Sequence, residues 1–152
     1  MHKLNLPEYK FRLNVIKGQK WIFDPLRKKK VVLTPEEWVR QNFIQFLIQE
    51  KHYPGPLIKV EMGFRLNNLA KRSDILVYDR KGKPLLMVEC KAPSVKVSQV
   101  VFDQIARYNI SLKVDFLIVT NGMEHYCCQI NHQKKSYQFL KNIPDFEELN
   151  VG

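Results

Sequence analysis

The sequence predicts an α/β domain in which a mixed central β-sheet is flanked by helices, with an extra β-hairpin at the N-terminus. Three observations carry this expectation. Apolar runs at 57–65, 74–78 and 85–91 follow one another at strand length. A helix with clear start and stop signals precedes them, and a second helix and a compact apolar strand follow. The 152 residues make one domain, 1–152, long enough to bury a core without disulfides or metal. A hydrophobic fraction of 45% and a charged fraction of 26% exclude a disordered, collagenous or coiled-coil chain.

The first segment, 1–33, reads as a small β extension. Strands are expected at 11–16 and 21–23 around the turn Lys17-Gly18-Gln19-Lys20, and at 31–33 after a basic loop. Thr34 is a good N-cap, Pro35 suits the first helical position, and Glu37 stands where a capping box needs it. Val39, Phe43, Phe46 and Leu47 recur at helical spacing to about Lys51, and His52-Tyr53-Pro54-Gly55-Pro56 ends the helix. The strands at 74–78 and 85–91 are joined by a turn from Asp79 to Pro84. A second helix is expected from about Ser98 to Asn109, then strands at 116–120, 126–130 and 136–140.

Charge gives the first functional hint. Twenty-five Lys and Arg against fifteen Asp and Glu leave a net charge of +10, and residues 1–30 hold nine basic residues and two acids. A field of that sign attracts polyanions, with nucleic acid the leading candidate and a merely solvated basic surface the bland alternative. The clusters Arg27-Lys28-Lys29-Lys30, Lys71-Arg72 and Arg80-Lys81-Gly82-Lys83 are the expected contacts to a phosphate backbone. Apolar stretches such as 85–88 and 116–119 are four residues long, far short of a membrane span, and the first residues lack the apolar core of a signal peptide. Three cysteines, two of them adjacent, fit a reducing compartment, so a cytoplasmic protein is expected. His125, Cys127, Cys128 and His132 lack zinc-site spacing, since adjacent cysteines on a strand point to opposite faces.

The chemistry lies at the ends of strands. In 85–91 side chains alternate, so Glu89 and Lys91 share one face while Leu86, Val88 and Cys90 share the other. Asp74 heads the neighbouring strand and should lie near Glu89 across the hairpin. Two adjacent carboxylates repel unless a cation lies between them, and oxygen ligands select Mg2+ or Mn2+. On a helical wheel Glu36 falls on the core-facing stripe and Glu37 at its edge, which makes Glu36 a metal-ligand or water-orienting candidate and Glu37 a cap. Gln104 and Tyr108 are four apart on the second helix, flanked by Val101 and Ile105, and are expected to face the sheet.

Asp74, then Glu89-Cys90-Lys91, then a helix carrying Gln104-x-x-x-Tyr108, resembles the PD-(D/E)xK nuclease superfamily. Within it the chain is most similar to the N-terminal nuclease domain of type I restriction endonuclease R subunits and its small stand-alone relatives. Lys71–Tyr78 and Val88–Pro93 carry most of the likeness, and Thr34–Gln41 adds a Glu ahead of Val39-Arg40. The likeness spans roughly 34–122, the expected nuclease-like core; the proline of the superfamily name is replaced by Ser73, and no helicase motif occurs in the 152 residues. The resemblance implies a restriction-endonuclease-like core and a Mg2+- or Mn2+-dependent nuclease acting on DNA, with RNA as second candidate. It implies Asp74, Glu89 and the Cys90 carbonyl as metal ligands, and Lys91 orienting water or stabilising phosphoryl charge. Glu36 would complete the metal environment, and Gln104 with Tyr108 would position lysine or phosphate. No membrane partner is implied; a homodimer or a larger restriction-type complex is. The rival reading is a non-catalytic nucleic-acid-binding or partner-docking module on the same fold.

Overall fold

The computed structural model describes residues 1–66, 69–109 and 113–149, and the side chains of these other than 61–73, 108 and 109. Lys71, Arg72 and Tyr108 therefore lie outside the residues whose side chains are described.

The N-terminal unit is a three-stranded antiparallel sheet of β1 (Leu13–Ile16), β2 (Gln19–Asp24) and β3 (Lys29–Val32). Its third strand is one residue out from the expected 31–33 at its far end and starts earlier, because Lys29 and Lys30 pair with Asp24 and Phe23. Helix α1 (Pro35–Gln49) starts where the capping signals place it, with the Thr34 hydroxyl accepting from the Glu37 N–H at 3.0 Å.

The main sheet has six strands in the order β4 (Ile58–Leu66), β5 (Leu69–Tyr78), β6 (Pro84–Cys90), β7 (Phe116–Thr120), β8 (His125–Asn131), β9 (Ser136–Leu140). β6 and β7 are parallel and every other neighbouring pair is antiparallel, so the sheet is mixed. Parallel neighbours need a crossover, and α2 (Gln99–Asn109) lies in that connection. A four-residue helix α3 (Phe146–Leu149), not expected from the sequence, closes the described chain.

Strand parity sorts the core into two layers. Ile75, Val77, Leu86, Val88 and Cys90 pack with Val39, Phe43, Ile44 and Leu47 of α1. Leu76, Met87, Leu117, Val119 and Cys128 pack on the other side with Phe102 and Ala106 of α2. Each face of the sheet thus carries its own helix, which is why β6 and β7 read as unbroken apolar runs rather than alternating ones. Among the described residues no helix is long and apolar enough to cross a membrane.

The chain start is tied across the end of β7. Asn5 donates its N–H to the Gly122 carbonyl at 2.8 Å, and Leu4 is buried beside it. Gly122 has φ +85°, and a β-carbon there would stand 2.7 Å from Leu4 Cδ2 and 3.2 Å from Val39 Cγ2. Gly122→Ala should therefore cost roughly 1–2 kcal/mol in backbone strain alone, more once Leu4 is displaced. Urea unfolding of wild type and mutant checks this, and equal midpoints would show that the segment relaxes freely.

Candidate active site

β5 and β6 form a hairpin whose register sets Ile75 opposite Val88 and Leu76 opposite Met87. The strand expected at 74–78 begins earlier, at Leu69, so Asp74 is the sixth of the ten residues of β5 rather than its head. One step beyond the Ile75–Val88 pair it comes against Glu89, next to last in β6. Their carboxyl groups are within hydrogen-bonding reach of each other. Asp74 Oδ2 also accepts from the Cys90 N–H at 2.7 Å, which fixes the carboxylate against the end of β6. Lys91 follows immediately, its N–H bonded to the Thr120 carbonyl at 2.8 Å, and lies close enough to Glu89 to attract its charge.

Glu89 is half-buried, and its carboxyl is pushed up to about 7 by burial first and then by the negative charge of Asp74; Lys91 opposes the shift and Glu36 adds to it. The Cys90 side chain lies on the opposite, α1 face, and burial followed by the Asp74 charge holds its thiol far above the ordinary range. Cys90 therefore offers the site its backbone rather than a thiolate.

The first turn of α1 differs from the wheel reading. Glu37 is buried, and the Glu36 side chain is 48% exposed. The buried arc is wider than the apolar stripe suggested, running from Val39 through Arg40 and Ile44 to Gln41 and Glu37. Its polar members are invisible to a hydrophobic count. Glu37 does not complete a capping box; its carboxylate accepts from Arg40 Nη1 at 2.7 Å, from Arg27 Nη2 at 2.9 and 3.0 Å, and from Gln41 Nε2 at 3.0 Å. Glu36 still belongs to the site's neighbourhood, because Arg40 Nη2 donates to it at 3.3 Å and to Asp74 Oδ1 at 3.1 Å.

Arg27 is likewise not the exposed phosphate contact expected of it. It is 14% exposed and bound to Asp24, which accepts from its Nε and from the Leu26 and Arg27 N–H groups at 2.8 and 3.0 Å. Burial alone would raise Asp24, but the bonds from Arg27 and Gln41 outweigh it and hold the carboxyl below its ordinary value. A continuous line of alternating charges thus runs Asp24–Arg27–Glu37–Arg40–Asp74. Arg40, Arg27 and Asp24 are the site-supporting residues that sequence reading missed. The signal that could have found them is the spacing of Glu37 and Arg40, three apart on one helix face.

The remaining basic residues divide by place. Lys28, Lys29 and Lys30 are exposed, and Lys29 lines an open cleft of about 560 Å³ shared with Glu36, Arg40 and Ala92. Lys30 follows it on the opposite face of β3. Arg80, Lys81 and Lys83 lie on the turn at the other end of the hairpin, roughly 15 Å along the strands from Asp74. Arg80 pairs there with Glu147 at 3.7 Å and Lys83 with Asp115 at 3.8 Å. Gln104 is exposed on α2, opposite the Phe102 and Ala106 face, so it does not turn toward the sheet as expected. Among the described residues, no group of three or more His, Cys, Asp and Glu forms a ready-made metal cage. The donor set is a carboxylate pair with a neighbouring backbone carbonyl, which suits a hard cation that keeps several waters.

A mixed sheet with helices on both faces and a carboxylate pair on two neighbouring strands defines a restriction-endonuclease-like α/β domain. The chain belongs to the family described as type I restriction enzyme R protein N terminus, whose model matches residues 35–144. Among solved structures it is similar to a fragment of a protein described as an HsdR subunit of a type I restriction enzyme from Vibrio vulnificus YJ016. The identity is 22% and the TM-score 0.53, over 77% of this chain and 24% of that one. This chain thus spans about a quarter of that neighbour. No curated protein sequence matches.

Two stability predictions follow from the geometry. Glu37→Ala should cost on the order of 3 kcal/mol by stranding buried guanidinium groups. Glu36→Ala should cost less than about 1 kcal/mol, as for an exposed pair. Chemical denaturation separates them, and equal losses would show that the network does not hold α1. For Glu89, a carboxyl raised from 4.5 to about 7 in the fold favours the folded state below the lower value and loses that contribution as pH rises through the upper one. Glu89→Gln should accordingly gain stability relative to wild type as pH rises through this window without metal. A pH-independent difference would contradict the burial argument.

Proposed function

We propose that the chain is a Mg2+- or Mn2+-dependent nuclease domain that hydrolyses DNA phosphodiester bonds. The observation that carries this reading is the Asp74–Glu89 pair, two carboxyl groups pressed together with Lys91 beside them and with one raised to about 7. Such a pair is costly unless a cation resides between its members, and strongly perturbed acids mark functional sites.

Asp74, Glu89 and the Cys90 backbone carbonyl would hold the ion. When bound, it would supply charge to polarise the phosphate and lower the pKa of a water. Lys91 stabilises charge developing on the phosphoryl oxygens or orients the attacking water. Glu36, exposed and anchored through Arg40, orients water at the rim. Lys29 holds the backbone in the cleft beside Glu36, without reading sequence. Membership of the restriction R protein family supports DNA as the polyanion and a larger restriction-type complex as the context. Three buried free cysteines fit a reducing, cytoplasmic setting.

A plasmid-nicking assay with Mg2+ or Mn2+ tests the reading. Wild type should nick, whereas Asp74→Asn and Lys91→Ala should lose at least about a hundredfold in rate, the scale of one lost transition-state contact, while still binding DNA. A wild-type protein that binds DNA but never nicks with either metal would leave the binding-module reading in its place, and faster cleavage of RNA would reassign the substrate. Lys29→Ala should weaken DNA binding and flatten its salt dependence by about one counterion, and Lys30→Ala should do less. Equal effects would show that the cleft is not the track of the backbone.

A further inference from the structure

We infer that the site takes one divalent cation per chain, because the Arg40 guanidinium holds the place a second would need. The inference rests on the metal reading above and deepens it. Its basis is a single nitrogen: Nη2 of Arg40 lies between Asp74 Oδ1 at 3.1 Å and Glu36 Oε1 at 3.3 Å. Two-cation phosphodiester sites hold their ions about 3.5–4 Å apart. A second ion beside one held by Asp74 and Glu89 would have to reach the other oxygen of Asp74 and take Glu36 as its further protein ligand. That space is filled by a positive charge.

Arg40 is also fixed. It is buried, and its Nη1 donates to Glu37 at 2.7 Å. Glu37 is gripped in turn by Arg27 and Gln41, and Arg27 by the fully buried Asp24. Swinging Arg40 out to admit an ion would break its bonds to Glu37, Glu36 and Asp74. Nor can the guanidinium give up its charge; burial works against it, but the attraction of Glu37 and Asp74 more than offsets this. Arg40 is therefore a positioning residue that sets metal count by acting through Asp74 and Glu36, and the N-terminal sheet takes part through Asp24 and Arg27.

Counting bound Mn2+ on the purified, DNA-free chain tests this, using the electron paramagnetic resonance signal of the free ion and calorimetry. Wild type should bind one Mn2+ per chain, and Arg40→Lys should also bind one, because the ammonium keeps the charge. Arg40→Met should bind two. Two ions on wild type, or a folded Arg40→Met that still binds one, would overturn the inference and leave the nuclease reading standing. Absence of any Mn2+ binding by wild type would overturn both. Should Arg40→Met fail to fold, the wild-type count decides alone.

Discussion

The placement of Asp74 depends on the alternating line Asp24–Arg27–Glu37–Arg40–Asp74. Taking one such charge out of water costs several kcal/mol, and a pair recovers it only with good geometry and further hydrogen bonds. Here each guanidinium lies between two carboxylates and Glu37 accepts from three side chains, so the line is stable as a whole and poor in any part. It ties three units together. β1 is exposed along its whole length, and Arg27 joins the N-terminal segment to α1 by bridging Asp24 and Glu37. The same contacts set the rotation of α1, turning Glu37 inward, and they aim Asp74 at the end of β6.

Fold and site were legible to different degrees. The strands, the crossover helix and the start of α1 followed from period, capping and turn chemistry, because these are local signals. The meeting of Asp74 and Glu89 followed from strand parity across one hairpin. What escaped was the rotation of α1 and the partners of its polar residues. An apolar stripe defines a helix face only where that face is apolar, and the first two turns of α1 bury Glu37, Arg40 and Gln41 instead. Arg27 was counted with its neighbours Lys28–Lys30 because charge in a sequence has no address; only the Asp24 turn, one strand of chain away from the helix, reveals that it faces inward. Gln104 was placed by its apolar neighbours Val101 and Ile105, yet Phe102 and Ala106 lie deeper and take the sheet-facing side.

The network also changes how the net charge acts. Three acids and two guanidinium groups make up the internal line, so it carries an excess of one negative charge, and Glu36 and Glu89 extend it at the site. The remaining 23 Lys and Arg and 12 Asp and Glu therefore carry +11, one more than the +10 of the whole chain. On the proposed reading a phosphate backbone would meet a positive exterior and be drawn toward a centre that is itself acidic. Those two signs conflict for a polyanion unless a cation occupies the centre. Arg40 supplies part of that charge, yet it is already engaged by Glu36, Glu37 and Asp74. Among the described residues Arg40 is held by three carboxylates, so on the proposed reading most of the positive charge that a phosphate needs beside Asp74 and Glu89 would have to come from the bound cation.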